Sequence, residues 1–343
     1  TNYCAVDFVK RAQGLVTPLE NGYVPLDIDV VPFDNSDTKK EGVSRTYHGT
    51  DGYAPIAAYL GREGWCLELE LREGKQHSQE KFIPFLSRAL SSARRLTQAP
   101  VLVRLDSAHD ALDTRAELAG HAGVDYVLKW NPRRQDTAAW LSRAAKEGRE
   151  LPAREGKRVW LWSEMVPQQK DGKRFAFRRV VRVTERTIDK HGQWLLSPEI
   201  ALEGWWSSLS SDAVSDEQVI ELYQGHGTSE QFHSEFKTDM DIERLPSGKF
   251  ATNALVLSMA AFAYNILRFI GQLGLLGERT PVRHAAKRRR IKTVIQELIY
   301  LAARMIEKGR RLKLRFSRHC PAFEAFVKVY ERVMGPAAVP ATG

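Results

Sequence analysis

Four side chains that could do chemistry recur at helical spacing within residues 223–237. They are separated by three, four and seven residues and are, in order, Tyr223, His226, Glu230 and Lys237. Because seven residues make about two helical turns, this spacing places all four on one face of a helix. That face would present a carboxylate that can bind a metal ion and cationic groups that can contact phosphate.

Two predicted strands upstream of this helix each carry an aspartate, Asp29 in PLDIDVVPF and Asp106 in VLVRLDS. Two aspartates and a later glutamate are the carboxylates that a two-metal phosphodiester-cutting site needs. Asp27 lies on the same face of its strand as Asp29 and is the alternative first ligand. Asp29 is favoured because it lies nearer the centre of the strand. Asp106 could instead cap the following helix together with Ser107.

The composition favours a polyanionic partner, nucleic acid first. The 343 residues carry 51 Lys and Arg against 42 Asp and Glu, which gives a net charge of +9. The three cysteines are far apart and form no CxxC pair, which favours a reduced, cytoplasmic setting. No Ser/His/Asp or Cys/His arrangement, phosphate-binding glycine loop or zinc-ligand cluster stands out, so a metal-free enzyme class is disfavoured.

The order of the predicted elements is three strands, a helix, a strand, a helix and a strand. The first three strands can pair as an antiparallel meander, and the later ones can join by crossover connections. This is the order of a ribonuclease-H-like core, an α/β fold with a mixed sheet flanked by helices. Its first and fourth strands are neighbours, so Asp29 and Asp106 would meet at one edge. The strands are predicted at Tyr23–Phe33, Ala54–Leu60, Trp65–Leu71, Pro100–Asp106 and Val124–Trp130, and the helices at Gln79–Leu96 and from Ser107 to about Ala122.

Residues 133–211 depart from this pattern and predict a β-rich insertion. A short helix near Ala138–Glu147 is followed by three aromatic and β-branched stretches with turn signals between them. These stretches are Lys157–Val166, Lys173–Thr187 and Gln193–Leu209. We therefore divide the chain into an N-terminal segment (1–20), a catalytic core (21–132 and 212–280), the insertion (133–211) and a helical C-terminal region (281–343). Because the chain does not begin with Met, a further N-terminal part is expected.

The helical region after the insertion has a predicted start and a predicted distortion. Ser215 and Gln218 have the spacing of a capping box, which indicates where the helix begins. Gly225 and Gly227 would each cost about 1 kcal/mol inside a helix, so we expect the helix to be distorted there.

The apolar stretch 250–277 is long enough to cross a bilayer. Four polar residues interrupt it and would be costly in lipid, so we predict a buried core helix instead. They are Asn253, Asn265, Arg268 and Gln272. Further elements are predicted as a helix that opens at Lys287–Arg290 and runs to about Lys308, a short basic strand at Arg310–Phe316 and a last helix at Ala322–Met334.

At this point the sequence resembles a known family. The phrases DIDVVPFDNS and VRLDSAHD and the row Tyr-x2-His-x3-Glu-x6-Lys resemble the DDE transposases of bacterial insertion sequences. The row is similar to the Tyr-x2-Arg-x3-Glu-x6-Lys signature of the group with a β-strand insertion before the catalytic Glu. The resemblance covers roughly residues 20–270 and continues more weakly to about 330. His226 stands where the family has Arg, which is always charged and bidentate, whereas His contacts phosphate only when suitably protonated.

The resemblance implies metal-dependent DNA cleavage and strand transfer, with a cut-and-paste pathway that can pass through a DNA hairpin. Asp29, Asp106 and Glu230 would be the catalytic residues and would hold two Mg²⁺ ions, for which Mn²⁺ can substitute. The partners would be double-stranded DNA, as the terminal inverted repeats and the target, and a second copy of the chain in a synaptic homodimer. The setting would be the bacterial cytoplasm, in association with the nucleoid.

Several residues are candidates for contact with DNA. Tyr223 is equally a candidate for core packing, and paired tryptophans are usually packed in a core or on a sheet face. The resemblance implies that one of these tryptophans stacks on a base displaced from the transposon end. The basic strand Lys173–Arg186 and Arg134 are weaker candidates, because charge runs are usually solvated. The predicted contacts are Tyr223, His226, Lys237, Lys129, Arg133, Trp205 and Trp206.

Two alternatives to a transposase stay open at the level of sequence. One is a ribonuclease-H-like DNA nuclease without strand transfer, since the carboxylates alone do not separate the two activities. The other is a copy that binds DNA but has lost catalysis, for which His226 is the main argument.

Overall fold

The computed structural model describes residues 2–277, 280–282 and 284–335. Its helices are α1 (Asn2–Ala12), α2 (Phe82–Leu96), α3 (Leu112–Ala119), α4 (Thr137–Glu147), α5 (Asp216–Gln224), α6 (Thr228–Ser234), α7 (Phe250–Gly274), α8 (Ile291–Val294) and α9 (Phe323–Met334). Its strands are β1 (Val24–Val30), β2 (Phe33–Asp34), β3 (Ser44–Arg45), β4 (Asp51–Tyr53), β5 (Ile56–Leu60), β6 (Trp65–Glu70), β7 (Val101–Leu105), β8 (Val124–Lys129), β9 (Arg149–Leu151), β10 (Lys157–Lys170), β11 (Lys173–Ile188), β12 (Trp194–Ser207), β13 (Ala303–Lys308) and β14 (Arg311–Phe316).

A nine-stranded mixed sheet with helices against it forms the centre of the fold, so the predicted α/β class is confirmed. Its strand order is β6-β5-β1-β7-β8-β12-β11-β10-β9. β1 pairs antiparallel with β5 and parallel with β7, and β7 pairs parallel with β8. The central strands are apolar and buried on both faces, as parallel strands covered by helices must be. The meander and the crossovers predicted from the element order are both present.

The insertion is built into this sheet. The last residues of β12 pair antiparallel with the end of β8, with Trp205 opposite Lys129. β11, β10 and β9 then follow in order, so the central strands and the insertion share one continuous hydrogen-bonded sheet. The division into separate domains stays a prediction, and residues 336–343 of the C-terminal region lie outside the described part of the chain.

One helical segment of changing pitch runs from α5 to Asp239. A capping box of Ser215 and Gln218 opens it, as predicted. A 3₁₀ turn over Gly225–Gly227 joins α5 to α6, and a π-helical turn over Glu235–Asp239 follows α6. The 3₁₀ turn confirms the predicted distortion. A Cβ at Gly225 would displace the guanidinium of Arg104, which pairs with Asp27.

α7 packs in the core, and its polar residues find partners inside the protein. The side chain of Asn265 accepts a hydrogen bond from the Cys66 amide and donates one to the Cys66 carbonyl, each at 2.9 Å. Asn253 and Arg268 are also buried. By length and hydropathy alone, α7 is the one helix in the described part of the chain that could span a membrane. Its buried polar contacts support the predicted core helix.

The helix predicted from Lys287–Arg290 to about Lys308 is wrong. Helical structure covers only α8 and a π turn over Ile295–Ile299, and β13 and β14 then form a hairpin. Gly309 and Arg310 make its two-residue turn, with φ of 60° and 61°. Two consecutive positive φ values are those of a type I′ turn, which closes a hairpin and ends any helix. The basic strand and the last helix are confirmed as β14 and α9.

Candidate active site

Asp29 and Asp106 lie side by side where two neighbouring parallel strands end. The register pairs Ile28 of β1 with Leu105 of β7, so the two aspartates are the next residues on each strand. Parallel strands are about 4.8 Å apart, and residues in register point to the same face. The strand order thus brings both carboxylates to the carboxyl edge of the sheet.

Glu230 reaches this edge from α6. Its side chain is exposed and lines a cavity of about 500 Å³ together with Asp29. The cavity is also lined by Tyr47, His48, His233 and Lys237. Within the described ranges, no three His, Cys, Asp or Glu side chains already converge into a group that could hold a metal ion. Asp29 and Glu230 therefore share one opening without meeting at one point.

The donor chemistry of this opening fits a divalent cation. Carboxylate oxygens are hard ligands that suit Mg²⁺ and Mn²⁺. Burial would raise the pKa of Asp29, but the contact with His233 and the charge of His226 lower it below its ordinary value. Asp29 is therefore ionised at neutral pH, and Asp106, whose side chain is 37% exposed, is open to a ligand.

Asp27 is occupied by other partners. Its two carboxylate oxygens accept hydrogen bonds from Nε and Nη2 of Arg104 at 2.7 and 2.6 Å. His226 Nδ1 lies 2.8 Å from the same carboxylate. Burial would raise the pKa of Asp27, but the Arg104 charge and the His226 hydrogen bond lower it below its ordinary value. Asp27 is thus committed to a buried ion pair, which supports Asp29 as the first ligand.

His226 points into the protein. Its side chain is 8% exposed and braces Asp27, so it presents no group to a DNA phosphate in this structure. Burial would lower the pKa of His226, but the contact with Asp27 raises it above its ordinary value. The raised pKa favours the imidazolium form of His226, whose charge is directed inward at Asp27.

Tyr223 and Lys237 lie beside the carboxylates. Burial and the charges of Asp106 and Asp29 raise the pKa of Tyr223, so its phenol stays protonated. Its ring also packs edge-on against Trp205, so both interpretations of Tyr223 have structural support. Lys237 faces the cavity, where its ammonium donates to the Pro32 carbonyl at 3.0 Å and pairs with Glu243 at 2.7 Å.

The two predicted stacking residues are packed inside the protein. Trp205 and Trp206 are 2% and 3% exposed. The Lys129 ammonium lies 3.9 Å from the centre of the Trp205 ring, and the Arg115 guanidinium lies 4.3 Å from that of Trp206. Neither indole presents a face to a nucleotide in this structure, because both side chains are almost fully buried.

The predicted basic contacts differ in how available they are. Arg133 is exposed in the loop after β8, whereas Lys129 pairs with Glu203 at 2.8 Å. Most of the arginines of β11 are also paired. Their contacts are Arg178 with Asp216, Arg179 with Glu164, Arg182 with Glu203 and Arg186 with Glu199. Much of the charge of this strand is therefore compensated within the protein.

The sequence prediction missed the histidines that contact the aspartates. His109 Nδ1 lies 2.8 Å from Asp106, and His233 Nε2 lies 3.4 Å from Asp29. The spacing in the sequence could have indicated that both histidines lie near the site, since His109 follows Asp106 by three residues and His233 follows Glu230 by three. Asp106 also caps a short 3₁₀ turn by accepting from the Ala108 amide at 3.2 Å, so the cap predicted with Ser107 comes from Asp106 alone.

Comparison with known proteins identifies relatives. A family model described as transposase DDE domain group 1 matches residues 17–335. No curated protein matches the chain. A solved structure of a piggyBac transposase synaptic complex with hairpin DNA is similar at 12% identity and a TM-score of 0.39. That match covers 95% of this chain and 60% of the other, so the chain spans less than two thirds of the length of that transposase.

Proposed function

Because the chain belongs to the DDE transposases, we propose that it cleaves DNA and joins the freed strand to a target at Asp29, Asp106 and Glu230. The observation that carries this proposal is the side-by-side placement of the two aspartates beside the cavity that Glu230 lines. We further propose that the element is a bacterial insertion sequence moved by a cut-and-paste pathway, on the Tyr-x2-His-x3-Glu-x6-Lys row.

The three carboxylates would hold two divalent cations, Mg²⁺ or Mn²⁺. When bound, such ions activate the attacking oxygen and stabilise the leaving 3′-oxygen of the phosphodiester. Asp29 and Asp106 are fixed by neighbouring strands, and Glu230 approaches from α6 across the cavity. Glu230 would therefore complete the set of ligands from the helix side.

Two further side chains would act on the phosphate. The phenol of Tyr223 stays protonated and can donate a hydrogen bond to a phosphate oxygen. The ammonium of Lys237 faces the cavity and can neutralise phosphate charge if it leaves Glu243. The net charge of +9 and the exposed Arg133 support double-stranded DNA as the partner. Joining two element ends requires two active sites, so we propose a homodimer on DNA in the bacterial cytoplasm.

The test is nicking and strand joining on DNA that carries the element's own ends, with Mg²⁺ or Mn²⁺. Asp29→Asn, Asp106→Asn and Glu230→Gln should each abolish both steps, because each removes a carboxylate charge at the metal. Glu221→Gln is the matched control, an exposed glutamate on α5 of the same helical segment. It should keep wild-type activity.

Other outcomes separate the alternatives. Cleavage without joining would show a nuclease rather than a transposase. DNA binding without any metal-dependent nick would show a decayed copy. Full activity in Asp29→Asn would contradict the assignment of the first ligand.

A further inference from the structure

His233 lies in the cavity with an uncommitted nitrogen. It follows Glu230 by one helical turn on α6, is 7% exposed and lines the same opening. Its Nε2 is buried and makes no hydrogen bond with the described residues. This nitrogen lies 3.4 Å from Oδ2 of Asp29. Burying a polar atom without a hydrogen-bond partner costs free energy. The position of Nε2 beside the Asp29 carboxylate therefore favours a bound group that contacts both side chains.

The other ring nitrogen of His233 is held in place. Nδ1 lies 3.2 Å from the hydroxyl of Tyr59, which is buried on β5. The Tyr59 ring is in turn packed against Phe232 and Phe236. In the tautomer with hydrogen on Nδ1, that nitrogen donates to the Tyr59 oxygen. In this tautomer the lone pair of Nε2 would be available to an ion bound at Asp29. Histidines that bind metals are oriented in this way through their second nitrogen.

The distance between the two donor atoms suits a shared ion. Two neighbouring ligands of an octahedral ion, each about 2.1 Å from it, lie about 3 Å apart. The 3.4 Å between His233 Nε2 and Asp29 Oδ2 is close to this value. Glu230 lies three residues before His233, so both side chains project from one face of α6. Asp29, Glu230 and His233 thus line one cavity, and His233 and Asp29 are the pair whose donor atoms lie close enough to share an ion.

We propose that His233 is a nitrogen ligand of the divalent ion held at Asp29. This inference rests on the proposed function and adds a nitrogen donor to its carboxylates. Imidazole suits transition-metal ions, whereas Mg²⁺ prefers oxygen ligands alone. The site should therefore favour Mn²⁺ over Mg²⁺ more strongly than a site made of carboxylates.

The test is electron paramagnetic resonance of Mn²⁺ bound to the protein without DNA. Pulsed spectra of the wild type should show coupling of Mn²⁺ to a histidine ¹⁴N, which changes to ¹⁵N coupling when histidine is labelled. His233→Gln should abolish the coupling and raise the Kd for Mn²⁺ at least about tenfold. Tyr59→Phe should keep the coupling and raise the Kd about tenfold, because it removes only the orienting contact. His48→Gln, an exposed histidine at the same cavity, is the control and should retain both coupling and affinity.

The outcomes distinguish this inference from the proposed function. Mn²⁺ binding that is lost in Asp29→Asn but shows no histidine coupling in the wild type overturns the ligand and leaves the transposase proposal intact. Coupling that persists in His233→Gln and is lost in His48→Gln also overturns it. If the wild type binds no Mn²⁺ at all, both proposals fail. The labelling experiment uses the unsubstituted protein, so a failure of His233→Gln to fold does not remove the test.

Discussion

Buried histidine side chains contact the aspartates of this site. The contact between His226 and Asp27 is part of a network that connects several elements of the fold. Arg104 pairs with Asp27 on the adjacent strand and also donates to the Leu222 carbonyl at 3.0 Å. The network therefore joins β1 and β7 to the end of α5 and to the 3₁₀ turn. A neutral residue in place of His226 would leave Asp27 with Arg104 as its remaining cation.

The protonation of His226 should make stability depend on pH. Burial lowers its pKa, but contact with Asp27 and the charge of Asp29 outweigh this and Arg104, so the pKa is raised on folding. A raised pKa gives stability that is complete below the unfolded value, about 6.5, and is lost as pH rises through the folded value. The wild-type free energy of unfolding should therefore fall above about pH 6.5. His226→Gln should remove this part of the fall.

Urea unfolding of both proteins between pH 5 and 9 checks this, with His121→Gln as a control for a part-exposed histidine. An unchanged pH profile in His226→Gln would show that the ion pair with Asp27 does not titrate in this range.

The placement of Asp29 beside Asp106 was predictable once the order of the elements was recognised as that of a ribonuclease-H-like core, in which the first and fourth strands are neighbours. The histidine partners were not, because Asp27 and His226 are joined only through the position of a helix on the sheet. The same helix position buries His226, which spacing had placed with Glu230 on one face.

At the scale of elements, ion pairs with a buried carboxylate fix the turn that follows α6, the helix that carries Glu230. Glu235, in the π turn after α6, is fully buried and pairs with Arg268 and Arg288. Arg290 pairs with Asp239 at the end of the same turn, at 2.8 Å. Two arginines of the basic run Lys287–Arg290 therefore hold the helical segment that carries Glu230 through ion pairs.

Removing one of these cations should destabilise the protein strongly. Arg268→Ala would leave the Glu235 carboxylate buried with Arg288 alone, and breaking a buried pair costs about 3–5 kcal/mol. Arg290→Ala should cost less than Arg268→Ala, because half of the Arg290 side chain is exposed and the Lys292 amide still donates to Asp239. Chemical denaturation measures these changes. Lys287→Ala, the exposed neighbour in the same run, should leave the free energy of unfolding unchanged, and an equal loss in all three variants would show that these ion pairs do not hold the segment.

The sequence predicted this region least well. A basic run followed by an apolar stretch is typical of a helix start, and nothing local shows that Arg288 and Arg290 pair with residues more than fifty positions away. The sequence did not predict the hairpin of β13 and β14, for a different reason. Its turn has Gly before Arg, and only the positive φ at both residues reveals it.

At the scale of the whole molecule, the count of 51 Lys and Arg residues overstates how many basic side chains are free to contact DNA. Arg182 on β11 already contacts Glu203, whereas Arg133 is exposed near the carboxyl edge of the sheet. Arg133→Gln should lower the slope of log affinity against log salt by about 0.9, the value for one phosphate contact. Arg182→Gln should leave the slope unchanged. Fluorescence anisotropy at a series of salt concentrations measures both, and a lower slope in Arg182→Gln would show that its ion pair opens on DNA.

The single large sheet was only partly predicted. The strands of the insertion were found because they are aromatic and β-branched, and their turns are marked by glycine. Their attachment depends on Trp205–Ser207, three residues of β12 that pair with β8, and no local pattern shows which edge they choose.

This attachment places β12 next to the edge of the sheet where Asp29 and Asp106 lie. β12 runs antiparallel to β8 and pairs with it only at its end, so residues 194–204 continue past the edge where Asp29 and Asp106 lie. At about 3.3 Å per residue, this overhang is roughly 35 Å long. A duplex rises about 3.4 Å per base pair, so the overhang matches about one turn of DNA. Under the proposed function, a DNA end shorter than about one turn would leave part of this overhang without contact to DNA.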